Sequence, residues 1–150
     1  MQPKDPVQNI FLIDDDMDDI ELFRDALEEV APSISFRYSN DGSEAVRKLS
    51  EQQDALPDLI FLDISMPTVS GLQCLASFKK DQQLKNLPVI MYTTSSQERE
   101  IRMAQELGAS GFVTKPNDFK MLKRMLTLIL QTPVDQLSEA LRRLSGHTSS

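Results

Sequence analysis

The sequence predicts an α/β fold, a doubly wound sheet of five parallel strands with five crossing helices and one short helix more at the carboxyl end. Three observations predict it. Short apolar runs alternate with amphipathic stretches five times in order, and right-handed crossovers between parallel strands are the simplest topology for that alternation. The central run, Leu59 to Leu62, is apolar throughout, as a strand covered on both faces requires. Polar side chains with chemistry to offer follow the strands: Asp14 and Asp15, Asp63, Thr93 and Lys115 each stand at a carboxyl end. Open α/β sheets carry their sites on that rim.

Residues 1–8, with Pro3 and Pro6, read as a flexible lead-in. Ile10 to Ile13 is the first strand, Asp16 a helix cap, and Asp18 and Asp19 first-turn acids that suit the helix dipole. Ile20, Phe23, Leu27 and Val30 then recur on one helical face, and Pro32 closes the helix. Ile34 to Tyr38 alternates apolar and polar, as a strand near the sheet edge does. Asn40 to Ser43 is a turn and helix start, with Ala45, Val46 and Leu49 as a short apolar stripe. After the central strand, Pro67 breaks regular structure, and Gly71 to Lys80 forms the third helix with Leu72, Leu75, Ala76 and Phe78 inward.

Val89 to Tyr92 is the fourth strand, and Ser95 with Glu98 predicts a capping box for the next helix. Gly108 suits that helix's left-handed end. Gly111 to Thr114 is the fifth strand, and Phe119, Leu122, Leu126 and Ile129 mark the fifth helix. The main domain is expected over residues 9–131, an amphipathic helix over 132–145 and a tail over 146–150. In that last helix Val134, Leu137, Leu141 and Leu144 share a side, which suits either a cap on the same domain or a contact with a second chain.

The 150 residues carry a net charge of −7, which disfavours binding nucleic acid through its phosphates. Neither a secretory leader nor a membrane-spanning run is visible, so a cytoplasmic location is expected. Cys74, the single cysteine, falls in an apolar helix stretch and reads as a small core residue. His147 lies in the polar tail and receives no role.

On one rim the acids repel. Two charges ~4 Å apart cost on the order of 4 kcal/mol at an effective dielectric near 20. A divalent cation relieves this, and Mg²⁺ suits a few carboxylates and phosphate oxygens. Lys115 and the Thr93 hydroxyl suit the same oxygens, with Thr94 a neighbouring competitor for the hydroxyl's place. Asp63 is then the natural nucleophile for phosphoryl transfer. Asp16, Asp18 and Asp19 are assigned to the helix cap and first turn instead.

Five motifs in this order resemble the response-regulator receiver domain of two-component signalling. They are Leu12-Ile13-Asp14-Asp15, Leu62-Asp63-Ile64-Ser65-Met66-Pro67, Gly71, Leu87 to Thr93, and Gly108-Ala109 through Phe112-Val113-Thr114-Lys115-Pro116. The resemblance covers about residues 8–131 and implies a flavodoxin-like strand order 2-1-3-4-5. It implies that Asp63 accepts a phosphoryl group from a histidine kinase. It implies Mg²⁺ on Asp15, Asp63 and the Ser65 backbone carbonyl, with Asp14 acting through water. Thr93 and Lys115 would hold the phosphoryl oxygens, and Phe112 would pair with Thr93 as a rotamer switch. Tyrosine is frequent at the Phe112 position, so that hydroxyl is lost here. The acidic start of the first helix and the extra last helix are similar to receivers paired with bacterial phytochromes.

The expected function is a single-domain phosphorylation switch, whose partners are a sensor histidine kinase or phosphotransfer protein and a downstream protein; a homodimer stays open. One alternative is a relay shuttle that passes the group to a second histidine. Another is a Mg²⁺-dependent aspartyl phosphohydrolase, for which Asp14-Asp15-Asp16 supplies a D-x-D. Asp18 stands where such enzymes want Thr or Val, and no long insertion offers a lid. A receiver that binds its partner constitutively is disfavoured by the intact acids, threonine and lysine.

Overall fold

The computed structural model describes residues 7–51, 56–66, 69–94 and 97–144. Residues 1–6 of the expected lead-in, residues 52–55, Pro67, the Ser95 hydroxyl and the tail with His147 lie outside these residues. So do the side chains of Val134 and Leu144.

The strands are β1 (Asn9–Ile13), β2 (Ser35–Ser39), β3 (Leu59–Leu62), β4 (Val89–Thr93) and β5 (Gly111–Thr114). The helices are α1 (Met17–Val30), α2 (Gly42–Glu51), α3 (Gly71–Lys80), α4 (Glu98–Glu106), α5 (Phe119–Gln131) and α6 (Leu137–Leu144), with a 3₁₀ turn at Val134–Gln136. All pairings are parallel and the order is β2-β1-β3-β4-β5. β3 and β4 are buried at every position, while β2 is an edge strand with Tyr38 exposed.

Alternate side chains of each strand divide the core into two layers. Ile10, Leu12, Phe61, Ile90 and Tyr92 pack with Ile20, Phe23 and Leu27 of α1 and Leu122, Met125, Leu126 and Ile129 of α5. Phe11, Ile13, Ile60, Leu62 and Met91 pack with Ala45 and Leu49 of α2, Cys74, Leu75 and Phe78 of α3 and Ala104 of α4. Cys74 is a core residue as expected, and burial pushes its thiol up to about 12.

Local signals start and stop the helices. Asp16 caps α1 by accepting from the backbone N–H groups of Asp18 and Asp19. Ser70 and Gln73 form a reciprocal capping box on α3, and Asp118 caps α5. Leu107 is the C-cap of α4, and the next residue, Gly108, has a φ of 96°, the left-handed geometry that favours glycine. The start of α4 differs from expectation. Gln97 is the N-cap and makes no side-chain cap bond, so first-turn acids Glu98 and Glu100 are left to favour that helix end.

α6 folds back on its own domain. Leu137 and Leu141 are buried with the α1/α5 layer, and a Cβ on Gly111 would stand 2.6 Å from Leu141 Cδ1. The bare glycine backbone of β5 is what lets α6 lie so close. Two residues of the apolar stripe are therefore spent within the chain rather than on a second copy.

Candidate functional site

Three strands on the carboxyl rim, β1, β3 and β5, each hand the next side chain to the site through a fixed backbone bond. Asp14 N–H donates to Ser39 C=O (3.1 Å), Asp63 N–H to Ile13 C=O (3.0 Å) and Lys115 N–H to Thr93 C=O (2.8 Å). The sheet ladder thus continues one residue past β1, β3 and β5, and register fixes where the side chains emerge. The carboxylates of Asp14, Asp15 and Asp63 present oxygens within 4.8 Å of one another. Asp14, Asp63 and Thr93 are buried and Asp15 is exposed, so the pocket has a dry floor and one wet wall.

The structure therefore brings together Asp14, Asp15, Asp63 and Lys115, with Thr93 at the adjoining strand end. Lys115 Nζ lies 2.7 Å from Asp14 Oδ2 and 3.3 Å from Asp63 Oδ2, and its side chain is only 8% exposed. Ser65 stands two residues after Asp63 in the loop, where its N–H donates to Asp63 Oδ1 (3.2 Å). Phe112 is half-buried against the α3/α4 layer. Strand alternation and the Thr93–Thr114 register put it on the same sheet face as Thr93.

Two neighbours of Lys115 were not legible beforehand. Asp19 Oδ2 accepts from Lys115 Nζ at 2.7 Å, although the sequence assigns Asp19 only to the first turn of α1. Tyr92 lies beneath the ammonium, 5.6 Å from ring centroid to Nζ, a cation–π contact. Tyr92 also packs edge-on against Phe23 and Phe61, so the lysine rests on an aromatic floor. Burial raises the Tyr92 phenol well above its usual range.

Asp14 carries the electrostatic strain. Its Oδ1 accepts from Asp16 N–H (2.9 Å). Its buried Oδ2 has Lys115 near it, yet at an angle that makes no hydrogen bond. Burial pushes the carboxyl up to about 6, against the pull of Lys115 and the Asp16 N–H. Burial would lower Lys115 in turn, but Asp14, Asp19 and Asp63 outweigh it and raise the ammonium above its usual range.

A stability prediction follows with a definite sign. Asp14 holds its proton more tightly folded than unfolded between its ordinary 3.8 and about 6, so its contribution to stability falls as pH rises through that window. In chelator, Asp14→Asn is expected to stabilise the chain at pH 7.5 by about 1–3 kcal/mol, a gain that fades as pH falls from about 6 toward 3.8. Thermal melts of both forms at pH 4.5 and 7.5 check this.

A divalent cation fits this donor set. Three carboxylates, one with an oxygen that is buried and lacks a hydrogen bond, are hard oxygen ligands of the kind Mg²⁺ or Mn²⁺ takes.

The order β2-β1-β3-β4-β5, with its acids gathered on one rim, is the arrangement of receiver domains. The model of the response regulator receiver domain family matches residues 10–127. The chain belongs to that family, the receiver domain of two-component response regulators. It is similar to response regulator Rcp1 of a Synechocystis species, with 30% identity over 125 residues covering 81% of this chain and 85% of the relative. Among solved structures it resembles the Mn²⁺-bound form of Rcp1, with TM-score 0.76, 28% identity and coverage of 84% of this chain and 96% of that one. It also resembles the phosphorylated cyanobacterial phytochrome response regulator RcpA, with TM-score 0.75, 31% identity and coverage of 82% and 91%. No helix among the described residues is long and apolar enough to cross a membrane.

Proposed function

We propose that the chain is a phosphorylation-dependent signalling switch in which Asp63 accepts a phosphoryl group from the phosphohistidine of a sensor kinase or phosphotransfer protein. The observation that carries this is the buried Asp63 carboxylate, held 3.3 Å from the Lys115 ammonium inside the three-acid pocket. An Asp63 oxygen bonds to phosphorus as the P–N bond of the donor breaks, its electron pair remaining on the imidazole. Lys115 has three N–H donors to offer the incoming oxygens and the Thr93 hydroxyl one more.

Asp15, Asp63 and the Ser65 carbonyl would hold Mg²⁺ directly, with Asp14 through water. When bound, the ion supplies positive charge that offsets repulsion between the acids and the phosphoryl oxygens. The Mn²⁺-bound and phosphorylated relatives support this reading.

The chain is read as a phosphoacceptor in a cytoplasmic setting, not an enzyme with a separate substrate. Asp16 weighs against the phosphohydrolase alternative, because its carboxylate is used in capping α1. A relay that passes the group to a second histidine would use the same pocket. The output is assigned to α4, β5 and α5, through Thr93 drawing toward the phosphoryl group and Phe112 repacking beside it. A second copy of the chain, if it were the partner, would have to bind elsewhere than Leu137 and Leu141, which are buried.

Amide hydrogen exchange tests the switch, with beryllium fluoride and Mg²⁺ standing in for the phosphoryl group. Changed protection across 98–131 is expected. Unchanged exchange there, with the mimic bound, would contradict the switch.

A further inference from the structure

Resting on the reading above, we infer that Asp19 is a positioning residue, which takes a share of the Lys115 ammonium and so keeps it from settling fully on Asp14 and Asp63, two of the acids a divalent cation would need. Lys115 Nζ is 2.7 Å from both Asp14 Oδ2 and Asp19 Oδ2 and 3.3 Å from Asp63 Oδ2. An ammonium has three donors but a single positive charge, so these three acids share one cation. Two of the three, Asp14 and Asp63, also belong to the acid set that converges within 4.8 Å.

An ammonium drawn fully onto that pair would neutralise the charge a divalent cation needs. Asp19 is the only one of the three outside the set, and it stands on α1 rather than at a strand end. It draws the ammonium to the helix side of the pocket. Of the two contacts with a hydrogen-bond geometry, the one to Asp19 is the shorter. Its side chain is 30% exposed, so its charge costs less desolvation than another buried acid would. With Asp19 present, Lys115 stays poised beside the pocket and the converging acids keep their charge.

Asp18 is the control for charge alone. It is the preceding residue on α1, exposed, and its charge is screened by solvent and salt. Asp19→Asn and Asp18→Asn remove the same unit charge, but only the first removes the hold on Lys115.

The test is calorimetric titration of the chelator-stripped full chain with Mg²⁺ alone, for wild type and both variants, each first shown by melting to be folded. Asp19→Asn is expected to weaken Mg²⁺ at least about tenfold, and Asp18→Asn no more than about twofold at 0.15 M salt. A variant that only loosened α1 would lower the melting temperature without this selective loss. Equal affinities in the two variants would overturn the role of Asp19 while leaving the proposed function intact. Failure of the wild type to bind Mg²⁺ would overturn both.

Discussion

Gly71→Ala is expected to destabilise the chain by about 2–4 kcal/mol and to lower its melting temperature by roughly 5–15 °C. Gly71 is the first residue of α3, and its N–H donates to Ile64 C=O at 2.8 Å. That bond folds the loop after β3 back under the helix. A Cβ there would run into the carbonyl oxygen of Asp63 and stand 2.7 Å from both the Asp63 carbonyl carbon and Ile64 Cα. These are backbone atoms held by the sheet, not flexible side-chain ends, so the loop itself must move. Alanine recovers at most ~1 kcal/mol of helix propensity, too little to offset the collision. Because the displaced atoms carry Asp63, Mg²⁺ affinity should fall with stability. Thermal unfolding and Mg²⁺ titration of the variant check both, and an unchanged melt would contradict the close approach.

Lys115→Met is expected to cost about 3–5 kcal/mol in chelator at pH 7.5, because it strips the cation from a buried group of acids. Asp14 and Asp63 are buried, and Lys115 is the cation that touches both. Methionine keeps most of the stem's volume and its packing over Tyr92, so the loss reports on charge rather than on a cavity. The cost should shrink on adding Mg²⁺, which restores positive charge, and shrink below pH 5, where Asp14 takes up a proton. Denaturant unfolding at both pH values, with and without Mg²⁺, measures this. A variant as stable as wild type in chelator would mean that the pocket tolerates its acids without the lysine.

Both substitutions touch features that the sequence shows in outline only. Apolar and alternating runs placed all five strands to within about one residue. The central ones, buried on both faces, leave an unbroken signal, and the edge strand β2 leaves an alternating one. The carboxyl-rim constellation was equally legible, since Asp14, Asp63, Thr93 and Lys115 each directly follow or end a strand. The strand order came from the family resemblance, as alternation alone leaves several orders open.

Asp19 was hidden by its surroundings. Among Asp14, Asp15, Asp16, Asp18 and Asp19, composition cannot say which acid turns inward. That depends on the phase of α1 against the end of β1, which the Asp16 cap sets. The one available signal was its place a helical turn beyond Asp15, on the side that faces back toward the strand ends. Tyr92 was hidden differently. β4 is buried at every position, so its pattern does not mark which side chains face α1 and α5. The docking of α6 rests on a residue with no side chain, Gly111, and hydrophobic periodicity cannot register a missing Cβ.

Intact mass spectrometry after incubation with a small acyl phosphate donor tests the central claim most directly, with wild type and Asp63→Asn each run with and without Mg²⁺. The account predicts a gain of one phosphoryl group in wild type, dependent on Mg²⁺ and absent from Asp63→Asn. A phosphoryl group that persists in Asp63→Asn, or a wild type that neither gains one nor binds Mg²⁺, would contradict it.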